Sequence, residues 1–191
     1  MAVTVLIVDV GTSSVKAVLF DATGRTLAAA DRPLATRSPR PGFAEQDPES
    51  WWQATAEAVR ALGIEAPPTA ITLTGSMQNV ILLGRGGEWL RPAILYSDAR
   101  VDAARIAALR AELPADFEQR VGNLAEPALC LFRLDWLFDE EPEAMAATAR
   151  ILFGAKDAVI HRMTGRPVVD PSVAATTGLM NLAARHWDPD I

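Results

Sequence analysis

The sequence predicts an α/β domain. Three apolar segments separated by short turn sequences lie within the first 34 residues, a pattern typical of adjacent β-strands. Apolar residues at helical spacing first occur after residue 47 and return between residues 101 and 163. Half of the 191 residues are hydrophobic and 22% are charged, so the chain has enough apolar side chains for one substantial core or two small ones.

Turn residues delimit the three N-terminal strands. The apolar run from Val3 to Val8 ends at Asp9, and a Gly-Thr-Ser-Ser turn separates it from the apolar residues 15–20. A second turn, Asp-Ala-Thr-Gly at residues 21–24, precedes an extended stretch from Thr26 to Leu34. Because both connections are short, we expect three adjacent antiparallel strands.

A helix and several shorter strands follow. Asp47 can cap a helix whose first position is Pro48, and apolar residues recur at helical spacing as far as Leu62. Short apolar runs bounded by glycine, proline and polar residues then predict further strands. These runs are Ala70 to Leu73, Val80 to Leu83 and Arg91 to Tyr96.

The second half of the chain is predominantly helical in pattern. Residues 101–150 carry apolar residues at helical spacing, interrupted by turns at Gly122-Asn123 and Glu126-Pro127. Another helix is predicted from Asp157 to Met163, with Gly165 in the left-handed closing position. Residues 168–182 are rich in Thr, Ser, Ala and β-branched residues, so we expect short strands or an ordered loop there rather than a helix.

Composition argues against several classes of partner. The chain has 24 acidic and 18 basic side chains, a net charge of −6, and no block of Lys or Arg that would bind nucleic acid. No apolar stretch approaches the roughly 18 residues of a membrane span. The single Cys130 lies in an apolar run, which favours a buried, inert thiol and excludes an internal disulfide framework. These features together fit a cytoplasmic protein.

The most informative segment for chemistry is the turn between the first two strands. Gly11 allows backbone N–H groups to approach an anion, Thr12 and Ser13 add hydroxyl groups, and Lys16 adds a positive charge. Asp9 at the turn would repel a bound phosphate unless a divalent cation lay between them. We therefore interpret Asp9 as a carboxylate that contacts Mg²⁺ directly or through water. Phosphoryl transfer is the chemistry that fits this set. An ordinary hairpin turn uses the same residue types, so the segment alone leaves both interpretations open.

A second polar turn follows the predicted strand at Ala70 to Leu73. Gln78 and Asn79 could present amides to a cleft, and an amide both donates and accepts, which suits vicinal hydroxyls. Plain turn chemistry is the competing explanation. Asp98 and Arg100 are two residues apart at the end of a predicted strand, so they could contact a ligand or form an ion pair with each other.

Residues 9–16 resemble the phosphate-binding hairpin of FGGY-family carbohydrate kinases, which belong to the sugar kinase, Hsp70 and actin superfamily. Residues 43–52 are similar to the acidic helix entry of that family, and residues 91–100 to its Arg-Pro-Ala-Ile-Leu-Trp-Asn-Asp-x-Arg segment. Gly75-Ser76-Met77-Gln78 resembles the sugar-contacting turn, which reads Gly-Gln-Met-His in xylulokinases. Further similarities occur in family order at Gly122-Asn123, Lys156-Asp157, Thr164-Gly165 and residues 170–187. The resemblance covers the whole chain.

The resemblance implies an RNase H-like domain over residues 1–191, with a mixed β-sheet flanked by helices. It implies ATP-dependent phosphorylation of a sugar hydroxyl, with Mg²⁺ and a pentulose or xylulose-like substrate. The catalytic base, an Asp, and the adenosine pocket would belong to a C-terminal nucleotide-binding lobe of the same protein outside this chain. We therefore expect this chain alone to be inactive; a homodimer is compatible with the sequence.

The family pattern also assigns roles to particular positions. Asp9 would be the metal-side carboxylate, and Met77 and Gln78 would contact the sugar, with Asp98 and Arg100 at the edge of the sugar pocket. The cofactor-binding set would be Asp9, Gly11, Thr12, Ser13 and Lys16. Gln78 stands where xylulokinases have His, which leaves the sugar unspecified.

Two other functional classes remain open at this stage. The chain could be a non-catalytic carbohydrate-binding or regulatory module derived from the same lobe. It could also belong to another branch of the superfamily, such as an exopolyphosphatase or a chaperone-type ATPase. Those branches lack a segment like residues 91–100, which counts against them.

Overall fold

The first three strands form an antiparallel meander, as predicted. The computed structural model describes residues 3–191. Its first strands are β1 (Thr4–Val10), β2 (Ser14–Asp21) and β3 (Thr26–Pro33), with β2 in the middle. Alternate residues of β1, namely Leu6, Val8 and Val10, are buried, which defines the core face of the sheet.

A helix covers this core face. The short strand β4 (Glu45–Gln46) leads directly into α1 (Pro48–Ala61). The Asp47 side chain accepts a hydrogen bond from the backbone N–H of Glu49, which confirms the predicted N-terminal cap. Trp51 of α1 is fully buried and belongs to the same apolar cluster as the core-facing residues of β1.

The fourth strand of the sheet makes it mixed. Strand β5 (Ala70–Gly75) pairs parallel with β1, so the strand order is β3-β2-β1-β5. Gly75 lies opposite Val10, and a Cβ atom at Gly75 would be 2.6 Å from the Val10 carbonyl oxygen. The close approach of β5 to the end of β1 therefore requires glycine at this position.

The remaining elements form the second half of the domain. They are β6 (Ile81–Leu83), β7 (Ala93–Ile94), α2 (Ala103–Glu112), α3 (Phe117–Val121), α4 (Cys130–Glu140), α5 (Pro142–Ala147), β8 (Arg150–Leu152), α6 (Ala155–Thr164), α7 (Pro171–Ala175), β9 (Met180–Asn181) and β10 (His186–Trp187). The short strands pair antiparallel as β4 with β7, β6 with β8, and β9 with β10. In residues 3–191 none of the helices is long and apolar enough to cross a membrane.

Two sequence-based predictions need correction. The strand expected from Arg91 to Tyr96 is reduced to the two residues of β7, because Pro92 has no N–H and the Tyr96 N–H donates to the Asn79 side chain. The segment 168–182, expected to form short strands or a loop rather than a helix, contains α7 as well as the short strand β9. The Asp170 carboxylate accepts hydrogen bonds from the N–H groups of Ser172 and Val173, and this cap stabilises a short helix that composition alone did not indicate.

Candidate functional site

The β1–β2 turn places charged and hydroxyl groups in one row at the end of the sheet. Asp9 is opposite Lys16 of β2 on one side and Thr74 of β5 on the other. Residues directly opposite each other in a sheet have side chains on the same face. All three of these side chains are exposed, so a carboxylate, an ammonium and a hydroxyl group are available together. Thr74 was not among the predicted site residues.

The turn itself is closed by its own backbone and supported from within the core. The N–H of Gly11 donates to the Ser14 carbonyl oxygen at 3.1 Å, with Thr12 and Ser13 between them. The Nε2 amide of Gln46 donates to the Thr12 carbonyl oxygen at 2.7 Å. Gln46 is almost completely buried. It therefore holds the turn from beneath, a role that no local pattern in the sequence indicates.

The parallel pairing of β1 with β5 brings the second predicted turn next to this hairpin. The N–H of Ser76, the first residue after β5, donates to the Val10 carbonyl oxygen at 2.9 Å. Met77 is exposed and Gln78 is half-buried. The predicted phosphate-binding and sugar-contacting segments thus lie side by side at the same edge of the sheet.

Gln78 has an uncommon backbone conformation. Its φ of 61° lies in the left-handed region, which is unfavourable for residues other than glycine. The neighbouring Asn79 is fully buried; its Oδ1 accepts a hydrogen bond from the Tyr96 N–H, and its Nδ2 donates to Ser76 Oγ. Of the two amides that the sequence suggested for the cleft, only Gln78 is available; Asn79 fixes the turn.

Asp98 and Arg100 form a buried ion pair with each other. The Nε of Arg100 lies 2.8 Å from Asp98 Oδ1, and both side chains are completely inaccessible to solvent. The Nη2 of Arg100 also contacts Glu45 Oε1 at 2.7 Å, and Asp98 Oδ2 accepts a hydrogen bond from the Ala44 N–H. Burial acts to lower the pKa of Arg100, but its hydrogen bonds and ion pairs with Asp98 and Glu45 together have the larger effect. The pKa of Arg100 is therefore raised above its ordinary value. Both groups already have partners in this structure.

A second charged cluster borders the same turn. The N–H of Ala155, the first residue of α6, donates to the Ser76 carbonyl oxygen at 3.0 Å. The next residue, Lys156, contacts Asp157 at 2.5 Å and Asp170 at 2.7 Å. Burial raises the pKa of Asp157 above its ordinary value although Lys156 acts in the opposite direction. The charged cluster ties the start of α6 to the cap of α7, while the Ala155 N–H joins α6 to the turn.

Asp9 presents an exposed carboxylate at the hairpin. Across residues 3–191, no three His, Cys, Asp or Glu side chains come together in a way that could hold a metal ion. Mg²⁺ in phosphoryl-transfer sites is usually bound by one or two carboxylates together with phosphate oxygens and water. Asp9 is therefore suited to contribute one ligand rather than a complete site.

Comparisons with known proteins identify the family of this chain. The model for the FGGY family of carbohydrate kinases, N-terminal domain, matches residues 4–191. Xylulose kinase from Escherichia coli (strain K12) is 38% identical over 185 residues, covering 94% of this chain and 37% of that protein. Glycerol kinase from Nocardia farcinica is 31% identical over 192 residues, covering 96% of this chain and 38% of that protein.

Solved structures show the same fold. The crystal structure of xylulose kinase from Rhodospirillum rubrum superimposes with a TM-score of 0.91 at 34% identity, over 98% of this chain and 39% of that chain. Plasmodium falciparum glycerol kinase with ADP shares the fold at a TM-score of 0.85. The mixed sheet with flanking helices is thus the sugar kinase fold of the actin and Hsp70 superfamily. This chain spans less than two fifths of the length of the xylulose kinase relative. It belongs to the FGGY family of carbohydrate kinases, in which it matches the N-terminal domain.

Proposed function

We propose that this chain is the sugar-binding lobe of an ATP-dependent carbohydrate kinase that phosphorylates a hydroxyl of a pentulose or a similar polyol. The observation that carries the proposal is the hydrogen bond from the Ser76 N–H to the Val10 carbonyl oxygen. It joins the hairpin and the turn at residues 76–79, so that a phosphate donor and a hydroxyl acceptor would meet at one sheet edge. Proximity of the two reactants is a large part of catalysis in phosphoryl transfer.

The hairpin would take the phosphate side of the reaction. The backbone of Gly11, the hydroxyls of Thr12 and Ser13, and the Lys16 ammonium would bind phosphate oxygens of ATP. Asp9 would hold Mg²⁺ directly or through water. When bound, Mg²⁺ supplies charge neutralisation at the phosphate oxygens. The chain's net charge of −6 gives no general attraction for the nucleotide, so phosphate binding would depend on these local groups.

The turn after β5 would take the sugar side. Met77 offers an exposed apolar surface and Gln78 a partly exposed amide, a combination that suits the carbon skeleton and the hydroxyls of a sugar. Asp98 and Arg100 would act at the edge of this pocket through their buried ion pair, in which Asp98 also accepts a hydrogen bond from the Ala44 N–H. The related xylulose kinase supports a ketopentose as the first substrate class to test.

The remaining parts of the reaction would come from a C-terminal lobe of the same protein. The catalytic base and the adenosine pocket are expected there, and closure of two lobes would exclude water from the transferred phosphoryl group. The isolated chain should therefore bind sugar weakly and release no ADP. A metabolic kinase with a single reduced thiol also suits the cytoplasm.

Sugar-dependent ADP release by the full-length protein tests the proposal. A panel should include D-xylulose, other ketopentoses and glycerol. Asp9→Asn should lower kcat/KM by on the order of a hundredfold or more, because it removes the carboxylate charge that would hold Mg²⁺ beside the phosphates of ATP. Glu65→Gln, which removes one exposed carboxylate in the segment before β5, should leave kcat/KM unchanged. The absence of ADP release with every sugar would refute the kinase proposal. Sugar binding without turnover would instead favour the non-catalytic carbohydrate-binding module.

A further inference from the structure

A fully buried arginine lies beneath the turn that carries Gln78. Arg133 of α4 donates from Nη2 to the Gln78 carbonyl oxygen at 2.7 Å and to the Ala128 carbonyl oxygen at 2.6 Å. Its Nη1 donates to the Leu95 carbonyl oxygen at 2.8 Å. The side chain thus joins two distant backbone segments, at Gln78 and Leu95, to the start of α4.

This arrangement is unusual for a buried charge. Burial of a guanidinium is costly, and buried arginines are ordinarily paired with a carboxylate. Here the acceptors are three backbone carbonyl oxygens and, at 4.0 Å, the Cys130 Sγ, and the Nε of Arg133 has no hydrogen-bond partner among the described residues. The cost of burying Arg133 is therefore offset by hydrogen bonds to backbone carbonyl oxygens rather than by an ion pair.

Arg133 holds the peptide of Gln78, whose backbone conformation is strained. A non-glycine residue with a φ of 61° persists only where surrounding contacts determine its conformation. On one side, Asn79 fixes the turn through its N–H, which donates to the Phe153 carbonyl oxygen at 2.9 Å. On the other side, Arg133 holds the Gln78 carbonyl oxygen itself. Without this hydrogen bond, the peptide between Gln78 and Asn79 could rotate towards a more favourable conformation.

We propose that Arg133 is a positioning residue for sugar binding, which holds Gln78 in its left-handed conformation and ties the turn to the Leu95 carbonyl oxygen in the neighbouring segment. This proposal rests on the proposed function, because it takes Gln78 as a sugar contact. Arg133 touches no substrate and acts through the backbone of the turn. Its planar fork of five N–H donors can reach three carbonyls in different directions, whereas a lysine ammonium on a single stem cannot match that geometry.

The kinetic test uses the full-length protein and the variants Arg133→Met and Arg133→Lys. Arg133→Met should raise the KM for sugar at least tenfold while changing the KM for ATP less than twofold. The KM for sugar of Arg133→Lys should lie between those of Arg133→Met and the unmodified protein. A merely structural role would reduce the amount of active enzyme, and this would lower apparent kcat but leave the KM for sugar unaltered. Arg105→Met is the matched control, since Arg105 also bonds to α4, through Asp135 and Asp139, but does not touch the turn.

Hydrogen exchange provides a second test that does not depend on activity. Arg133→Met should accelerate exchange of the amides of residues 76–80 at least tenfold, while the β1 amides and the Arg105→Met control stay unchanged. If Arg133→Met fails to fold, Arg133→Lys decides both tests. The positioning role is overturned if the KM for sugar stays within twofold of the unmodified protein or if exchange in the turn is unchanged. If the unmodified protein phosphorylates no sugar but exchange in the turn still accelerates, the proposed function fails while the link between Arg133 and the turn stands.

Discussion

The indole Nε1 of Trp51 donates a hydrogen bond to Gln46 Oε1 at 2.7 Å. This contact fixes the orientation of the Gln46 amide, because an indole N–H can only donate and must therefore face the amide oxygen. The Nε2 of Gln46 is consequently directed at Thr12 in the phosphate-side hairpin. A buried tryptophan of α1 thus determines how the core supports the hairpin.

Trp51→Phe should weaken this support. The phenyl ring keeps most of the apolar contact but leaves the buried Gln46 Oε1 without a donor, at a cost of about 1 to 3 kcal/mol in the free energy of unfolding. Urea unfolding measures the loss, and in the full-length protein the KM for ATP should rise. Trp52→Phe is the control because Trp52 is only partly buried against the same cluster. Equal losses for the two variants would contradict this account.

Arg100→Met should destabilise the domain more strongly. The change leaves the Asp98 carboxylate without a cation in the interior, while Glu45 keeps its ion pair with Arg91, and breaking a buried ion pair in this way costs about 3 to 5 kcal/mol. The guanidinium also lies 4.0 Å from the Phe43 ring centroid and 4.7 Å from that of Trp136, contacts that methionine only partly replaces.

A double-mutant cycle separates these contributions. Adding Asp98→Asn to Arg100→Met removes one uncompensated charge, so the double variant should be more stable in urea than the sum of the two single losses predicts. Additive losses would mean that Asp98 and Arg100 stabilise the domain independently, and the ion pair would then not be the reason for their burial.

Local sequence signals predicted the parts of the structure that depend on local interactions. The meander followed from turn residues a few positions apart, and the cap at Asp47 from the Asp-Pro pair. The spacing of Asp98 and Arg100 left an ion pair open as an alternative, and the structure contains that pair. The pattern of strands and polar residues predicted the turn at residues 76–79, and the family resemblance added the expectation that Met77 and Gln78 contact a sugar.

The supports of the candidate site could not be predicted in the same way. The hydrogen bond from Gln46 to Thr12 spans 34 residues, and that from Arg133 to Gln78 spans 55. Gln46 lies within a segment that resembles a helix entry, and Arg133 lies within an apolar helix pattern that would normally place a cation on the solvent side. Their functions depend on which distant carbonyl each one reaches, and this is a property of the tertiary packing.

The β2–β3 turn should make the stability of the domain depend on pH in the acidic range. The hydrogen bond from the Thr23 hydroxyl to the Asp21 carboxylate, aided by the Thr23 and Arg25 backbone N–H groups, lowers the pKa of Asp21 to about 2. A pKa lowered by folding contributes stability above the ordinary value of 3.8, and this contribution is lost as the pH falls towards 2.

Asp21→Asn tests this dependence. The asparagine keeps an acceptor oxygen for the turn but cannot titrate, so its urea-unfolding midpoint should fall less between pH 5 and pH 2.5 than that of the unmodified domain. Asp31→Asn, a change at an exposed carboxylate of β3, should keep the unmodified dependence. If Asp21→Asn and the unmodified domain lose stability in parallel, the turn is not a source of the acid sensitivity.

Cys130 should be unreactive in the native protein. It is fully buried at the first position of α4, and burial raises the pKa of its thiol to about 11 although the nearby Arg133 guanidinium favours the thiolate. Since the thiolate is the reactive form, a pKa of 11 in place of 9.0 lowers its fraction at pH 8 about a hundredfold, and burial excludes the reagent as well. Labelling with an aromatic disulfide should therefore proceed only as fast as the protein opens, and should be complete in urea with one thiol per chain. Rapid labelling of the native protein would mean that the start of α4 opens locally, and with it the anchor of Arg133 beneath the turn that carries Gln78.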